Sequence, residues 1–177
     1  MADVKNFEDE EEGQRDRFVV LLRHGIAEEP SAGKTDEDRS LTAEGHARMK
    51  QIAKGLERAF PKAQGIYSSP LLRAVQTALW VSKGYRSRIK VNTTDALIPG
   101  ASTDEFVDFL KTIPERRAIV VGHEPNLSDN LMELTATAGH VELKKGGCYG
   151  IRVKADGTAV LEWLLSPRIL RKLGEQN

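Results

Sequence analysis

Phe18-Val19-Val20-Leu21-Leu22-Arg23-His24-Gly25 is an unbroken apolar run that stops at a guanidinium, an imidazole and a glycine. A run this apolar, without the alternation of a half-exposed strand, reads as a strand buried on both faces of a parallel sheet. Similar runs follow at Gly65-Ile66-Tyr67 and Ala118-Ile119-Val120-Val121, while Ile89-Lys90-Val91, carrying a lysine, belongs nearer an edge. Amphipathic stretches separate them. Ala43 to Phe60 places Met49, Ile52, Ala53, Leu56 and Phe60 on one helical face. Ser69-Pro70 supplies an N-cap and a first-turn proline for a helix expected to turn Leu72, Val75 and Leu79 inward. Ser102-Thr103-Asp104-Glu105 reads as a capping box ahead of Phe106, Phe109, Leu110 and Ile113, and a further helix is expected from about Asn126 to Thr137. Near the end, Tyr149 to Val153 and Ala159 to Leu165 flank Asp156-Gly157, a hairpin signal. The alternation of strand and helix predicts an α/β fold, a three-layer α/β/α arrangement with a mostly parallel central sheet and a C-terminal antiparallel hairpin.

A chain of 177 residues suits one domain. Met1 to Asp16 holds the acidic cluster Glu8 to Glu12 without apolar periodicity and is expected to be a mobile tail, leaving residues 17–177 as the domain. Lys plus Arg and Asp plus Glu both number 26, so no global field draws the protein to nucleic acid or to an anionic membrane. No apolar run is long enough to span a bilayer or to form a signal-peptide core, which predicts a soluble cytoplasmic protein. Cys148 is the lone cysteine and falls in an apparent strand, where a buried thiol is the plain reading.

In an open α/β sheet, ligands bind beyond the carboxyl ends of the strands. That rule picks out Arg23-His24-Gly25 after the first apolar run, Ser68-Ser69-Pro70 with Arg73 after the second, and Gly122-His123-Glu124-Pro125-Asn126 after Val121. Two histidines and two arginines thereby converge on one sheet edge. Arginine presents a fixed fork of donors to phosphate oxygens, and a helix N-terminus adds partial positive charge, so the convergence predicts a phosphoryl site. Taken singly, each of these side chains is as well explained by structure or solvation; their joint placement is not.

Leu21-Leu22-Arg23-His24-Gly25, Arg39-Ser40-Leu41-Thr42-Ala43-Glu44-Gly45, Ser68 to Thr77, and Val121-Gly122-His123-Glu124-Pro125 together resemble the ordered motifs of the histidine phosphatase (phosphoglycerate mutase-like) superfamily. Among its branches the chain is most similar to the SixA-type phosphohistidine phosphatases, and Leu161 to Pro167 fits that branch too. The resemblance implies a phosphoglycerate mutase-like fold and no cofactor or metal. It implies that His24 is the nucleophile that becomes phosphorylated, that Arg23 and Arg73 hold phosphoryl oxygens, and that His123 is a second phosphate-side histidine. Arg39 matches an arginine of the Leu-Thr motif and is a candidate phosphate ligand, equally explained as a surface loop residue. Glu44 is explained by its place at a helix start. His46 and His140 match no motif and are expected on the surface or in loops.

A nucleophilic histidine must be neutral at the attacking nitrogen, with its other nitrogen held by a backbone carbonyl. Arg23, Arg73 and a protonated His123 would then stabilise the transferring group. Mutase relatives carry a glutamate acid in an insertion roofing the site, whereas Gln76-Thr77 here leads almost directly to the next strand. Asp104, Glu105 and Glu124 remain as candidate donors. Phosphohistidine can be protonated on its free ring nitrogen before the P–N bond breaks, so a missing acid favours that substrate over an alkyl ester. The expected partner is a phosphorylated protein bearing phosphohistidine. The competing readings are a phosphatase or mutase of small phosphate esters and a non-catalytic phosphate-binding module.

Overall fold

The computed structural model describes residues 16–33, 35–139 and 141–175. Of the expected N-terminal tail only Asp16 is described, its carboxylate 2.9 Å from Arg152 Nη1; the rest, like His140, lies outside the described residues. The strands are β1 (Arg17–Arg23), β2 (Gly65–Ser68), β3 (Val91–Thr93), β4 (Arg117–Gly122), β5 (Cys148–Val153) and β6 (Ala159–Leu165). The helices are α1 (Ala43–Ala59), α2 (Leu72–Gly84), α3 (Thr103–Thr112), α4 (Asn126–Thr135) and α5 (Pro167–Glu175), with a 3-10 turn at Asp95–Leu97. They build one six-stranded sheet of order β3-β2-β4-β1-β5-β6. β1, β2, β3 and β4 are parallel, β5 runs antiparallel to β1, and β6 closes the hairpin against β5. The fold is therefore the mostly parallel α/β architecture with a C-terminal hairpin that the sequence predicts, and β3 lies at an edge.

Period-two alternation along β1 splits the core. Val20 and Leu22 point into one apolar cluster with Met49, Ile52 and Leu56 of α1, Ala74, Ala78 and Val81 of α2, and Leu170 of α5. Val19 and Leu21 point into the other, with Phe106 and Leu110 of α3 and Leu127 and Leu131 of α4. Burial on both faces is why the run from Val19 to Leu22 carries no polar residue. The Ser102 capping box of α3 is present, and Cys148 is fully buried in β5.

Two elements depart from the expectation. α2 begins at Leu72 rather than at Pro70: Leu71 is its N-cap, and Ser69 Oγ accepts from Leu71 N at 3.3 Å without capping the helix itself. Its inward face is Arg73, Ala74, Thr77, Ala78 and Val81, whereas Leu72 and Leu79 are 38% and 48% exposed. Small residues belong on the inner face because α2 lies tight against α1; a Cβ on Gly84 would stand 2.7 Å from Ala53 O. α5 has no counterpart in the sequence reading; it packs on α1 through buried Leu170 and through close glycine-to-carbonyl approaches. A Cβ on Gly55 would come within 1.8 Å of Leu170 O, and one on Gly174 within 2.2 Å of Gln51 O.

The start of α1 is docked directly onto the chain that leaves β1. Thr42 N donates to Ile26 O at 3.0 Å, Thr42 Oγ1 caps the helix by accepting from Gly45 N at 3.0 Å, and a Cβ on Gly45 would stand 2.0 Å from Ile26 O. No rotamer change relieves a clash with backbone. Gly45→Ala is therefore expected to lower unfolding free energy by about 1–3 kcal/mol, the usual cost of overpacking, in a urea titration. A variant as stable as the parent would show that α1 does not press on Ile26.

Candidate active site

Parallel pairing of β1 with β4 places Arg23 opposite Gly122, and His24 N continues the ladder by donating to Gly122 O at 3.1 Å. The next residues on the two strands, His24 and His123, thus stand abreast, with ring centroids 5.1 Å apart and planes inclined by 52°. β2 pairs with the other side of β4, Ser68 opposite Val121, and delivers Arg73 on the first turn of α2 to the same edge. The structure brings together the four side chains selected from the sequence and buries three of them, His24 at 6% exposed, Arg73 at 4% and His123 at 3%, while Arg23 is half-buried.

His24 Nδ1 lies 2.7 Å from Gly25 O. A carbonyl only accepts, so Nδ1 carries the proton and Nε2 carries the lone pair. Burial, opposed by the Gly25 bond and reinforced by the charges of Arg73, Arg23 and Lys145, lowers the His24 pKa to about 3. Gly25 is itself held: its N–H donates to Thr77 Oγ1 at 3.0 Å, and Thr77 Oγ1 donates to Arg73 O at 2.7 Å. Thr77 therefore joins the His24-Gly25 loop to α2. Beside it, Gln76 Oε1 accepts from Leu41 N at 2.6 Å. Both are positioning contacts within a stretch the sequence analysis quotes only as motif.

Arg23 Nη1 donates to Leu143 O and to Glu142 Oε1, the latter at 3.0 Å. Leu143 is in turn fixed by its N–H to Glu124 Oε1 at 3.0 Å, and Glu124 Oε2 accepts from Ser128 N at 3.2 Å. Burial raises the Glu124 pKa against these bonds and the Arg23 charge, but both of its oxygens serve backbone donors. Glu105 is likewise committed, to the N–H and hydroxyl of Ser102, each at 2.8 Å. Neither is a free proton donor aimed at His24.

Arg171 Nε aside, the buried side-chain polar atoms without a partner among the described residues are Arg23 Nε, Arg73 Nε, and Nδ1 and Nε2 of His123. Buried donors are nearly always satisfied, and the exceptions ask for an explanation. Here they cluster around His24, and nitrogen donors from two guanidiniums suit an anion's oxygens. His123 differs from expectation in its charge. Burial first, then the neighbouring His24 and Arg73, lowers its pKa to about 3 against a raising influence from Asp36, so the ring is neutral in the unliganded protein. A bound dianion would restore its affinity for a proton.

Arg39 stands one layer back. Its Nε donates to Glu28 O at 2.6 Å and its Nη1 to Asp36 Oδ1 at 2.6 Å, and none of its atoms is among the orphaned donors. Sequence reasoning missed Asp36, whose Oδ2 lies 2.9 Å from Arg73 Nη2, and Lys145, which the Gly146 N–H bonds to Arg23 O and His24 O carry to the site. Nothing local marks either residue. His46 is on α1 rather than in a loop, half-buried and accepting from Trp80 Nε1 at 2.9 Å. Among the described residues no group of three His, Cys, Asp or Glu gathers to hold a metal, and no helix is long and apolar enough to cross a membrane.

A doubly covered, mostly parallel sheet that gathers an imidazole pair and two guanidiniums beyond its carboxyl edge defines the class, an α/β protein with its polar cluster at the strand ends. The chain belongs to the histidine phosphatase superfamily: the family model for branch 1 matches residues 19–98, and an uncharacterized protein of Picosynechococcus sp. (strain ATCC 27264 / PCC 7002 / PR-6) is 33% identical over 139 residues, 76% of this chain and 84% of the relative. That membership supports phosphatase activity. In fold the chain is similar to the protein histidine phosphatase SixA complexed with tungstate, with a TM-score of 0.79 and 22% identity over 86% of this chain and 99% of that one. It is also similar to phosphoglycerate mutase from Bacillus anthracis str. Sterne, with a TM-score of 0.72 and 13% identity over 94% of this chain and 100% of that one.

Both histidines have folded pKa values of about 3, below the ordinary 6.5. Across that window the unfolded chain binds more protons than the folded one, so the histidine contribution is complete above the unfolded pKa and is lost as pH falls. Replacing His123 by Asn is expected to flatten the dependence of unfolding free energy on pH between about 6.5 and 5, by up to about 1.4 kcal/mol per pH unit. An unchanged slope in urea titrations would rule out a buried neutral His123.

Proposed function

We propose that the protein is a phosphatase that works through a phosphohistidine on His24, and that its substrate is phosphohistidine on a partner protein. The observation that carries the reading is the set of orphaned donors on Arg23, Arg73 and His123 gathered around a histidine whose Nδ1 is tied to Gly25 O. His24 Nε2 attacks phosphorus while the P–N bond to the substrate imidazole breaks. That imidazole, protonated beforehand on its other nitrogen, leaves neutral. Arg23 and Arg73 take the charge on the equatorial oxygens, and His123 adds a donor once the dianion has raised its pKa. Water then attacks phospho-His24, releasing phosphate and returning His24 to its starting state.

Covalent label from phosphohistidine substrate is expected on the peptide containing His24, stable in alkali and lost in acid, and absent from His24→Ala. Label on another residue would overturn the nucleophile assignment.

Two observations support phosphohistidine over esters. Glu105 and Glu124 are occupied by backbone and capping bonds, leaving no committed acid from either, and only residues 85–90 connect α2 to β3, so no insertion roofs the site there. An alkoxide leaving group requires a proton during cleavage, whereas a phenolate needs less help. The expected order of kcat/KM is phosphohistidine protein, then aryl phosphate, then alkyl phosphate, each measured under identical conditions. Alkyl phosphates turning over as fast as phosphohistidine would transfer the assignment to a small-ester phosphatase.

A further inference from the structure

Arg73 is buried beneath an exposed loop, and the way that loop holds it is asymmetric. Its Nη1 donates to the main-chain oxygen of Asp36 at 2.6 Å and its Nη2 to Asp36 Oδ2 at 2.9 Å, while its Nε has no partner. Asp36 thus grips the terminal end of the guanidinium and leaves the Nε side free to meet an oxygen. The other carboxylate oxygen of Asp36 accepts from Arg39 Nη1 at 2.6 Å, and Arg39 Nε is anchored on Glu28 O at 2.6 Å. The loop is itself fastened. Leu72 N donates to Glu37 O at 3.0 Å, so the residue after Asp36 is pinned to the start of α2, and Glu28 and Ser40 exchange bonds across the loop's base.

We propose that Asp36 is a positioning residue for the phosphoryl site, aiming the Arg73 guanidinium, and that Arg39 acts on the site only by holding Asp36. The inference rests on the reading of Arg73 as a phosphate ligand. It gives Arg39 a role one layer removed from the anion.

A carboxylate on a guanidinium resembles a phosphoryl group on it, which offers a second role for Asp36, that of a competitor that substrate must displace. Exposure decides between them. The Asp36 side chain is 55% exposed against 5% for Arg73, so water screens its repulsion of an incoming anion, whereas its short bonds still fix the orientation of a buried fork. Arginine gains its advantage over lysine from that orientation, because a planar fork held in place has less freedom to lose on binding. Asp36 also offsets part of the cost of burying Arg73 when no anion is bound.

The two roles predict opposite signs for one measurement. Binding of inorganic phosphate is measured by calorimetry, alongside aryl phosphate turnover, for the parent and for Asp36→Asn, Asp36→Ala and Arg39→Ala. Positioning predicts that Asp36→Ala weakens phosphate binding roughly three- to tenfold, lowers kcat as well as raising KM, and that Arg39→Ala moves the same way by less. In an Arg73→Lys background, where no fork remains to be aimed, Asp36→Ala is expected to have little further effect. If Asp36→Ala lowers the thermal midpoint, the nearly isosteric Asp36→Asn supplies the comparison. Tighter or unchanged phosphate binding in the Asp36 variants overturns the proposal, as does an Arg39→Ala loss larger than that of Asp36→Ala. A parent protein that binds phosphate but turns over neither phosphohistidine nor aryl phosphate overturns the phosphatase reading instead, and the phosphate arm still decides the role of Asp36.

Discussion

The parallel register of β1 against β4 is the constraint on which the site depends. Phe18 to Arg23 pair residue by residue with Arg117 to Gly122, and one further bond, His24 N to Gly122 O, extends the ladder past the last paired residue. A slip of one residue would send every side chain of β1 to the opposite face, moving Val20 and Leu22 out of one core cluster and Val19 and Leu21 out of the other. Hydrophobic burial on both faces therefore enforces the same alignment that sets His24 beside His123. Packing of the core and placement of the two histidines share a single geometric determinant, which is why they sit on the first residues beyond the strands without a separate scaffold.

What gathers there is costly to bury. Two guanidiniums and two imidazoles lie within one shell, and the protein meets the cost in two ways. The imidazoles remain neutral, their pKa values lowered by burial and by the neighbouring cations. The guanidiniums keep charge-assisted bonds, Arg23 to Glu142 and Leu143 and Arg73 to Asp36. Arg23 Nε, Arg73 Nε and both ring nitrogens of His123 remain without a partner. Arg171 Nε aside, the unpaired buried polar side-chain atoms among the described residues concentrate at this one strand edge.

Legibility followed the range of the interaction. Strand-end placement was readable because an uninterrupted apolar run announces a buried strand, and the residue after it must lie at the sheet's carboxyl edge. The capping box of α3 and the Asp156-Gly157 hairpin were readable for the same reason, each being settled within a few residues. The inward face of α2 was misread since Leu72 and Leu79 carry more apolar weight than Ala74 and Ala78, and only the closeness of α1 makes small residues the better inner surface.

Sequence by itself determined the layered α/β class, the family motifs and the convergence of Arg23, His24, Arg73 and His123, because periodicity and strand ends are local properties of the chain. Tertiary structure alone decided which nitrogen of His24 bears the proton, that His123 is neutral, that Glu124 serves Leu143 and Ser128, and that Asp36 stands between Arg39 and Arg73. Those outcomes depend on burial and on partners brought together across the fold. Asp36 and Arg73 are 37 residues apart, and no spacing rule in a one-dimensional chain encodes the loop that joins them.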